Sequence, residues 1–408
     1  MTTIRELPIF DNDFKADPFP FYDELRASGS LAQVRLPTGV VCWLLVDYTH
    51  VRALINDDRL SKNSRFAGPS WHSVHINRDG ETSRPVLEHL LTVDAPEHTR
   101  LRALVAPDFR PRRLATLRPM VEAVVSEALD RLDPDTTVDF ATEFAALVPL
   151  IVICELLGVP VADRQRFRRW AELLMSADET EQALIPGAAR ELSDYLLALA
   201  DERRAAPDGS LFCRLVQARD RGEMTDRELT AMGFILLVAG HETTAGLLSA
   251  GLLALHETPG AWQRLCDAPQ DTPRIVEELL RFCSPIEVAT PRFAREDIEV
   301  GTQTIKAGDT VFLSLAAANR DGSRFDQPHD VIVDRAGGGH LAFGLGPHFC
   351  LGAGLARLEG EVAFAALSKR FPDLAPVGGQ ETLMWSPGLL LRGLKTLPVR
   401  LRPALDRP

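Results

Sequence analysis

Over much of the chain beyond Leu91, apolar residues recur every three or four positions, the spacing of helices that bury one face. Segments 118–132 (RPMVEAVVSEALDRL), 144–158 (FAALVPLIVICELLG), 163–177 (DRQRFRRWAELLMSA) and 188–205 (AARELSDYLLALADERRA) carry this pattern. The longest, 225–257, opens with Thr225 followed three residues later by Glu228, the side-chain pair of a capping box. Segment 271–282 has Pro273 just inside its start, where a missing N–H costs nothing. A last long helix is expected to start at or just after Cys350. Two regions alternate instead. Segment 32–47 (AQVRLPTGVVCWLLVD) breaks at Pro37-Thr38-Gly39 as a hairpin would, and 286–318 reads as short strands. Between Ser61 and Leu91 the periodicity is weak and Ser, Asn, Gly and Pro accumulate, which predicts a long loop of the lid or binding type. The pattern predicts a mainly α protein with a small β portion, and too many helices for a simple bundle.

Composition narrows this little. The chain has 408 residues, 45% hydrophobic and 25% charged, without repeats, low-complexity tracts or a linker, so one domain spanning 1–408 is expected. The net charge of −12 repels nucleic acid and anionic membranes. Against that background, His98 to Arg118 holds Arg100, Arg102, Arg110, Arg112, Arg113 and Arg118 with a single acid, Asp108. That stretch is either a solvated helix face or a docking patch for an acidic partner. The six cysteines are scattered without a CxxC pair, which argues against zinc, iron–sulfur and disulfide frameworks. No basic run followed by an apolar one opens the chain, and the apolar stretch from Gly233 is interrupted by His241, Glu242 and two threonines. A cytoplasmic protein with one deeply buried helix is expected.

Cys350 is the residue that stands out. Gly344 and Gly346 precede it, Gly352 and Gly354 follow, and the helical pattern places it at a helix mouth, where free amides and the helix dipole favour a thiolate. A thiolate so held is a good axial ligand to haem iron. The run Phe343-Gly344-Leu345-Gly346-Pro347-His348-Phe349-Cys350-Leu351-Gly352 resembles the haem-binding signature of cytochrome P-450. The resemblance extends over nearly the whole chain and implies that fold, with haem b between a long central helix and the cysteine-loop helix. It implies Cys350 as iron ligand, Phe343 packed near the sulfur and Gly344 shaping the loop. Glu278 and Arg281 stand as in the family's E-x-x-R element, with Arg335 as the later arginine that completes a structural brace. Val331 and Ile332 depart from the bacterial pattern beside that arginine. The family's haem propionates imply partners at His98 and Arg102, four apart on a helix, and at Arg292 and His348.

Glu242 and Thr243 lie in the most apolar helix, although burying a carboxylate costs several kcal/mol unless it is paired or solvated. Threonine there can bond back to the preceding turn, and Gly240 eases a local opening. The pair resembles the family's acid–alcohol element for oxygen activation, with Thr243 as hydrogen-bonding group and Glu242 as proton relay; Thr244 is expected to support the helix. This implies a monooxygenase using O2, with electrons from an external ferredoxin and its reductase docking on Arg100–Arg113. A pocket lined by Trp71, Leu91, Val238, Ala239, Val288, Ala289 and Leu390, with the region from Leu173 to Leu184, implies a bulky hydrophobic substrate such as a macrolide, other polyketide or steroid. Epoxidation, desaturation or carbon–carbon coupling on the same fold is the alternative to hydroxylation. A non-catalytic haem sensor is disfavoured by the intact acid–alcohol pair. A monomer is expected.

Overall fold

A computed structural model describes residues 4–29, 31–75, 89–175, 181–335 and 338–401. The helix Asp226–Glu257 runs through the middle and is called here the central helix. Its start is the capping box that its first residues spell out: Thr225 Oγ1 accepts from the Glu228 amide (3.2 Å), and Glu228 Oε2 accepts from the Thr225 amide (2.8 Å). Nearly every side chain from Leu229 to Val238 and from Gly246 to Leu255 is buried, as expected of a helix that is apolar all round. Among the described residues it is the one helix long and apolar enough to cross a membrane, and 72% of its most apolar window is covered by the rest of the protein.

Helix Leu147–Leu157 lies closest along one side of it. At the contact, a Cβ on Gly240 would stand 2.9 Å from Ile153 Cδ1, so glycine sets how near the two helices come. On another side pack helix Thr272–Cys283, which carries Glu278, and helix Ala353–Arg370, called here the cysteine helix. Helix Pro111–Asp130 covers the cysteine helix from outside.

The β portion is mainly one mixed sheet in the order Arg5–Glu6, Leu31–Arg35, Val41–Leu45, Thr310–Leu313, Arg292–Ala294, Leu60–Ser61. Leu31–Arg35 and Val41–Leu45 form the expected hairpin, with Gly39 at φ +86°. Side chains alternate across this sheet: Trp43, Leu45, Val311 and Leu313 enter one apolar cluster, while Cys42, Leu44 and Phe312 enter another. Pairing of Arg292 with Val311 fixes Arg292 on an inner strand.

Two expectations change. The stretch after Ser61 is not all loop. It holds a 3-10 turn, Ser64–Phe66, and a short helix, Pro69–His75; residues 76–88 lie outside the described residues. Pro69 supplies a preset helical φ at the first position, and Trp71 anchors the turn edge-on against Phe293 at 5.1 Å between ring centroids. The central helix is also unbroken through Gly240, so no widened turn interrupts it.

Glu278 joins the helical part to the meander before the cysteine. Its carboxylate accepts from Arg281 Nη2 (2.7 Å) and Nε (2.9 Å), from Arg335 Nε (3.1 Å) and from the Ile332 amide (2.9 Å). Arg281 also donates to the carbonyls of Asn319, Pro328 and Asp330. All three side chains are close to fully buried, so removing the acid strands two guanidinium groups out of water. Removing one partner of a buried charged set costs about 3–5 kcal/mol. Glu278→Ala is expected to lower the thermal unfolding midpoint by roughly the 2–4 °C per kcal/mol of a large domain, as read by calorimetry. An unchanged midpoint would deny the brace its structural weight.

Candidate active site

Cys350 closes a loop shaped by glycine. Gly344 and Gly346 hold φ of +68° and +72°, the left-handed region that side chains enter only at a cost. The loop brings the Cys350 amide back to the Phe343 carbonyl at 2.8 Å. The Arg357 guanidinium lies 4.5 Å over the Phe343 ring and is held there by Glu277 (2.8 and 2.9 Å). The cysteine helix begins at Ala353, as the sequence predicted, so its first amides face the thiol. Burial is the largest influence on the Cys350 thiol and pushes its pKa up, while the Gly352 amide, Arg102 and Arg357 favour the thiolate. The thiol is nevertheless exposed, because the surface it forms belongs to an internal cavity and not to the outside of the molecule.

That cavity holds about 1490 Å³ of space free of protein atoms, its open mouth included. One wall is the turn Ala239, Gly240, Thr243 and Thr244 of the central helix; Leu280, Ala289, Leu355 and the cysteine loop complete much of the rest. Basic side chains gather among the lining: Lys62, Arg102, Arg292 and His348 line the cavity, and the His98 ring lies against His348, tilted by 44° with ring centroids 4.1 Å apart. His98 Nε2 and His348 Nδ1 are buried without a hydrogen-bond partner. Arg292 donates only to the Thr290 and Ile55 carbonyls, Arg102 to the Phe349 carbonyl, and Lys62 to Thr290. Each of these bases is shifted toward its neutral form by burial, and Lys62, His98 and His348 are shifted further by neighbouring cations. Arg292 falls to about 10 and His348 to about 3, while Lys62, Arg102 and His98 move down. A cluster of cations that face one another in a dry wall calls for an anion.

Thr243 donates to the Ala239 carbonyl (3.0 Å), the expected back-bond, and its oxygen borders the cavity. Glu242 does not line the cavity. Successive residues on a helix point about 100° apart, and Glu242 turns toward Glu172, Arg168 and Lys395, with His241 Nδ1 3.7 Å from Oε1. Burial and then Glu172 raise its pKa. Of the residues expected around a substrate, Leu91, Ala239 and Ala289 line the cavity, and Trp71, Val238, Val288 and Leu390 do not. Trp71 is held against Phe293, and Val238 points into the helical core. Val288 bridges to Ser314 and, with Leu390, packs against the cluster on the far face of the sheet. Residues 176–180, inside the region expected from Leu173 to Leu184, lie outside the described residues. Lys62 and Glu359 line the cavity without having been singled out from the sequence. A lone lysine after a strand and a glutamate in an amphipathic helix carry no local signal of burial.

On the surface nearest the cysteine loop, Arg110, Arg112 and Arg113 are exposed with no carboxylate partner. Arg100 leaves that patch: it pairs with Glu228 and donates to the Glu223 carbonyl.

A family model for cytochrome P-450 matches residues 272–396, which include the Glu278 brace and the cysteine loop. The chain is 41% identical over 404 residues to cytochrome P-450 monooxygenase PikC of Streptomyces venezuelae, covering 98% of this chain and 94% of that one. This chain belongs to the cytochrome P-450 family. It is also 38% identical over 393 residues to the polyketide biosynthesis cytochrome P-450 PksS of Bacillus subtilis, with 95% and 97% of the two chains covered. The tirandamycin C-bound monooxygenase TamI superposes with a TM-score of 0.90 at 39% identity over 98% of this chain and 100% of that one. The mainly α fold expected from the sequence is therefore the family's, and the protein is an oxidoreductase of the monooxygenase kind. Cytochrome P-450 enzymes carry haem iron, use O2, draw electrons from outside the chain and, in bacterial members of this type, bind hydrophobic substrates. The cavity suits a haem on its own evidence: a thiol at a helix mouth, apolar walls, and a basic cluster with orphaned nitrogens that could pair with a macrocycle's carboxylates.

His241, next to the acid, also reports on this wall. Burial first and Arg168 next lower its pKa to about 4, against the opposing pull of Glu172. With a folded pKa below the unfolded value of about 6.5, the group's stabilising contribution is full above pH 6.5 and is lost as pH falls toward 4. His241→Phe is expected to make the melting temperature less sensitive to acid over that window, by an amount on the order of 3 kcal/mol. Parallel curves for the two proteins would mean that His241 titrates normally.

Proposed function

We propose that the protein hydroxylates a bulky, hydrophobic, polyketide-like molecule, with Cys350 as thiolate ligand of haem b. The observation that carries this is the single cavity bordered by the Cys350 thiol, the Thr243 turn and a basic cluster without a carboxylate partner, with His98 Nε2 and His348 Nδ1 orphaned. His98, Arg102, Arg292, His348 and, beyond the sequence expectation, Lys62 would hold the propionates; pairing with those anions would offset the burial that now shifts the bases. Phe343 and Gly344 would shape the loop that offers the sulfur, and the Gly352 amide, with Arg102 and Arg357, stabilises negative charge on it. When bound, the haem supplies the reduction and splitting of O2. Thr243, its proton held by the Ala239 carbonyl, offers lone pairs to a protonated oxygen group in the cavity. Glu242 takes the outer place in a proton relay: it is raised toward neutrality and stands between the Thr243 turn and the charged groups Arg168, Glu172 and Lys395. The apolar walls exclude water and orient the substrate.

The substrate class rests on two relatives, one whose name places it in polyketide biosynthesis and one solved with tirandamycin C bound. Epoxidation, desaturation or coupling would use the same wall and differ only in where the substrate's carbon lies. We assign electron delivery to a ferredoxin that docks its acidic face on the exposed Arg110, Arg112 and Arg113. The chain is proposed to act as one domain and as a monomer in the cytoplasm, its most apolar helix being enclosed by its own neighbours.

The dithionite-reduced protein under carbon monoxide is expected to show the red-shifted Soret band of a thiolate-ligated haem, and Cys350→Ser to lose it. A histidine-type band in the parent protein would overturn the assignment of Cys350. Thr243→Ala is expected to divert electrons to peroxide, lowering product per electron by roughly the 10²-fold of a positioned proton-transfer group; unchanged coupling would remove Thr243 from the reaction. Arg112→Glu together with Arg113→Glu is expected to slow ferredoxin-supported reduction at low salt by about tenfold, while substrate binding, read from the Soret shift, stays as it was. Equal reduction rates for the variant and the parent would move the docking face elsewhere.

A further inference from the structure

A second cavity opens between the N-terminal helices Asn12–Ala16 and Phe19–Ser28 and the last turns of the central helix. It holds about 1400 Å³ of space free of protein atoms, its open mouth included, and shares no lining residue with the cavity at Cys350. Its buried lining is mostly apolar and aromatic, from Ala250, Leu253 and Ala254 of the central helix to Phe19 and Trp385. Two guanidinium groups, those of Arg320 and Arg392, are buried in the same lining. Its exposed lining is acidic, with Asp13, Asp17 and Glu257.

The protein does not match these charges with its own. Arg320 is 8% exposed and its guanidinium lies between two rings, 3.6 Å from the Phe19 centroid and 3.7 Å from that of Phe282. Its Nε and Nη2 donate to the Phe282 carbonyl at 3.1 and 2.9 Å, and Nη1 has no hydrogen-bond partner among the described residues. Arg392 donates to the carbonyls of Lys15 and Ala16. Neither arginine forms an ion pair among the described residues. Glu287, the acid that acts most on Arg392, is already held by Lys15 and Tyr22. Burial first and Arg392 next lower the pKa of Arg320 to about 9. A buried guanidinium with a free donor stabilises an incoming carboxylate. Trp385 Nε1 is another buried donor without a partner, and the Arg392 guanidinium stands 4.2 Å over its ring. On the exposed side, Asp23 is engaged by Arg26 and His329, whereas Asp13 and Asp17 form no ion pair among the described residues. Asp17 acts on both Arg320 and Arg392 through space without an ion-pair contact to either.

Opposite charges held apart around one apolar cavity are the complement of a molecule that carries both signs close together. A simple anion would meet the acids at the mouth, and a simple cation would meet the guanidinium groups inside. We infer that this cavity is a second ligand site, for a small zwitterion of the α-amino-acid class with an apolar side chain. The carboxylate binds Arg320, the ammonium faces Asp13 and Asp17, and the side chain lies among Leu253, Phe19 and Trp385. Arg320 is already fixed by its two rings and by the Phe282 carbonyl, so little has to be ordered when the carboxylate arrives.

The test uses the haem-loaded protein with isotope-labelled tryptophan indoles, the Trp385 signal being assigned with Trp385→Phe, and L-phenylalanine as the probe. The titration is expected to move the Trp385 signal saturably and to leave the other indole signals in place. Phenylacetate lacks the ammonium and phenethylamine lacks the carboxylate. Each is expected to bind about tenfold more weakly, the loss of one charge-assisted hydrogen bond. Asp13→Asn together with Asp17→Asn changes only exposed side chains. That variant should bind phenylalanine about tenfold more weakly and phenylacetate no worse than the parent does. Arg320→Gln should show the converse, losing affinity for phenylalanine and keeping it for phenethylamine, with the other indole signals reporting that it is folded. The surface variant decides the matter even where Arg320→Gln does not fold. No saturable movement of the Trp385 signal up to the solubility limit of phenylalanine would overturn the site. Equal affinity for the three probes, or phenylalanine binding unmoved in the Asp13 and Asp17 variant, would overturn it as well.

Discussion

The rest of the structure depends on a repulsion that the chain does not resolve by itself. Lys62, Arg102, Arg292, His98 and His348 converge on one dry cavity, and the acid acting on several of them is Asp94, which is already engaged by Ser61, the Lys62 amide and Arg295. Burial pushes all five toward neutrality, and repulsion from neighbouring cations adds to it at Lys62, His98 and His348. Folding tolerates that only because the elements carrying these residues are fixed by other contacts. Arg292 is locked in an inner strand, His98 and Arg102 ride one helix, and His348 belongs to a glycine-shaped loop. The arrangement is strained in charge and rigid in backbone, which is the condition for binding an anionic group without further reorganisation.

The Glu278 brace supplies much of that rigidity. By tying Arg281 and Arg335 to one carboxylate, it pins the meander before the cysteine loop to the helix behind it. The Phe343 ring, under Arg357 and Glu277, continues the same support to the loop itself. The position of the thiol is therefore set by a chain of charged contacts reaching back through two helices, and not by the loop alone.

On the other side of the cavity the central helix shows two faces within one turn. Thr243 and Thr244 border the cavity while Glu242 looks toward Arg168, Glu172 and Lys395. This helix thus presents an inner face with two alcohols at the cavity and an outer face toward charged groups. Because Thr243 is tied to its own helix and Thr244 is not, the two hydroxyls differ in what they have left to offer.

The sequence alone determined the helical character, the capping-box start of the central helix, the sheet hairpin and the start of the cysteine helix. Each of these is written in local spacing that the tertiary structure had no reason to override. The glycines around Cys350 and the spacing of Glu278 and Arg281 were equally legible, because backbone conformation and helix-face geometry depend on a few neighbouring residues. What only the tertiary structure decided is which side chains meet across long distances in the chain. Trp71, Val238, Val288 and Leu390 read as pocket residues by composition but pack into cores, since an apolar side chain is equally content on either side of a strand or helix. Lys62 and Glu359 carry no local mark in the sequence and are buried on the cavity wall, because burial comes from elements far away in the chain. Glu242 lies next to Thr243 in sequence and turns away from it in space, as the rotation of a helix between consecutive residues requires.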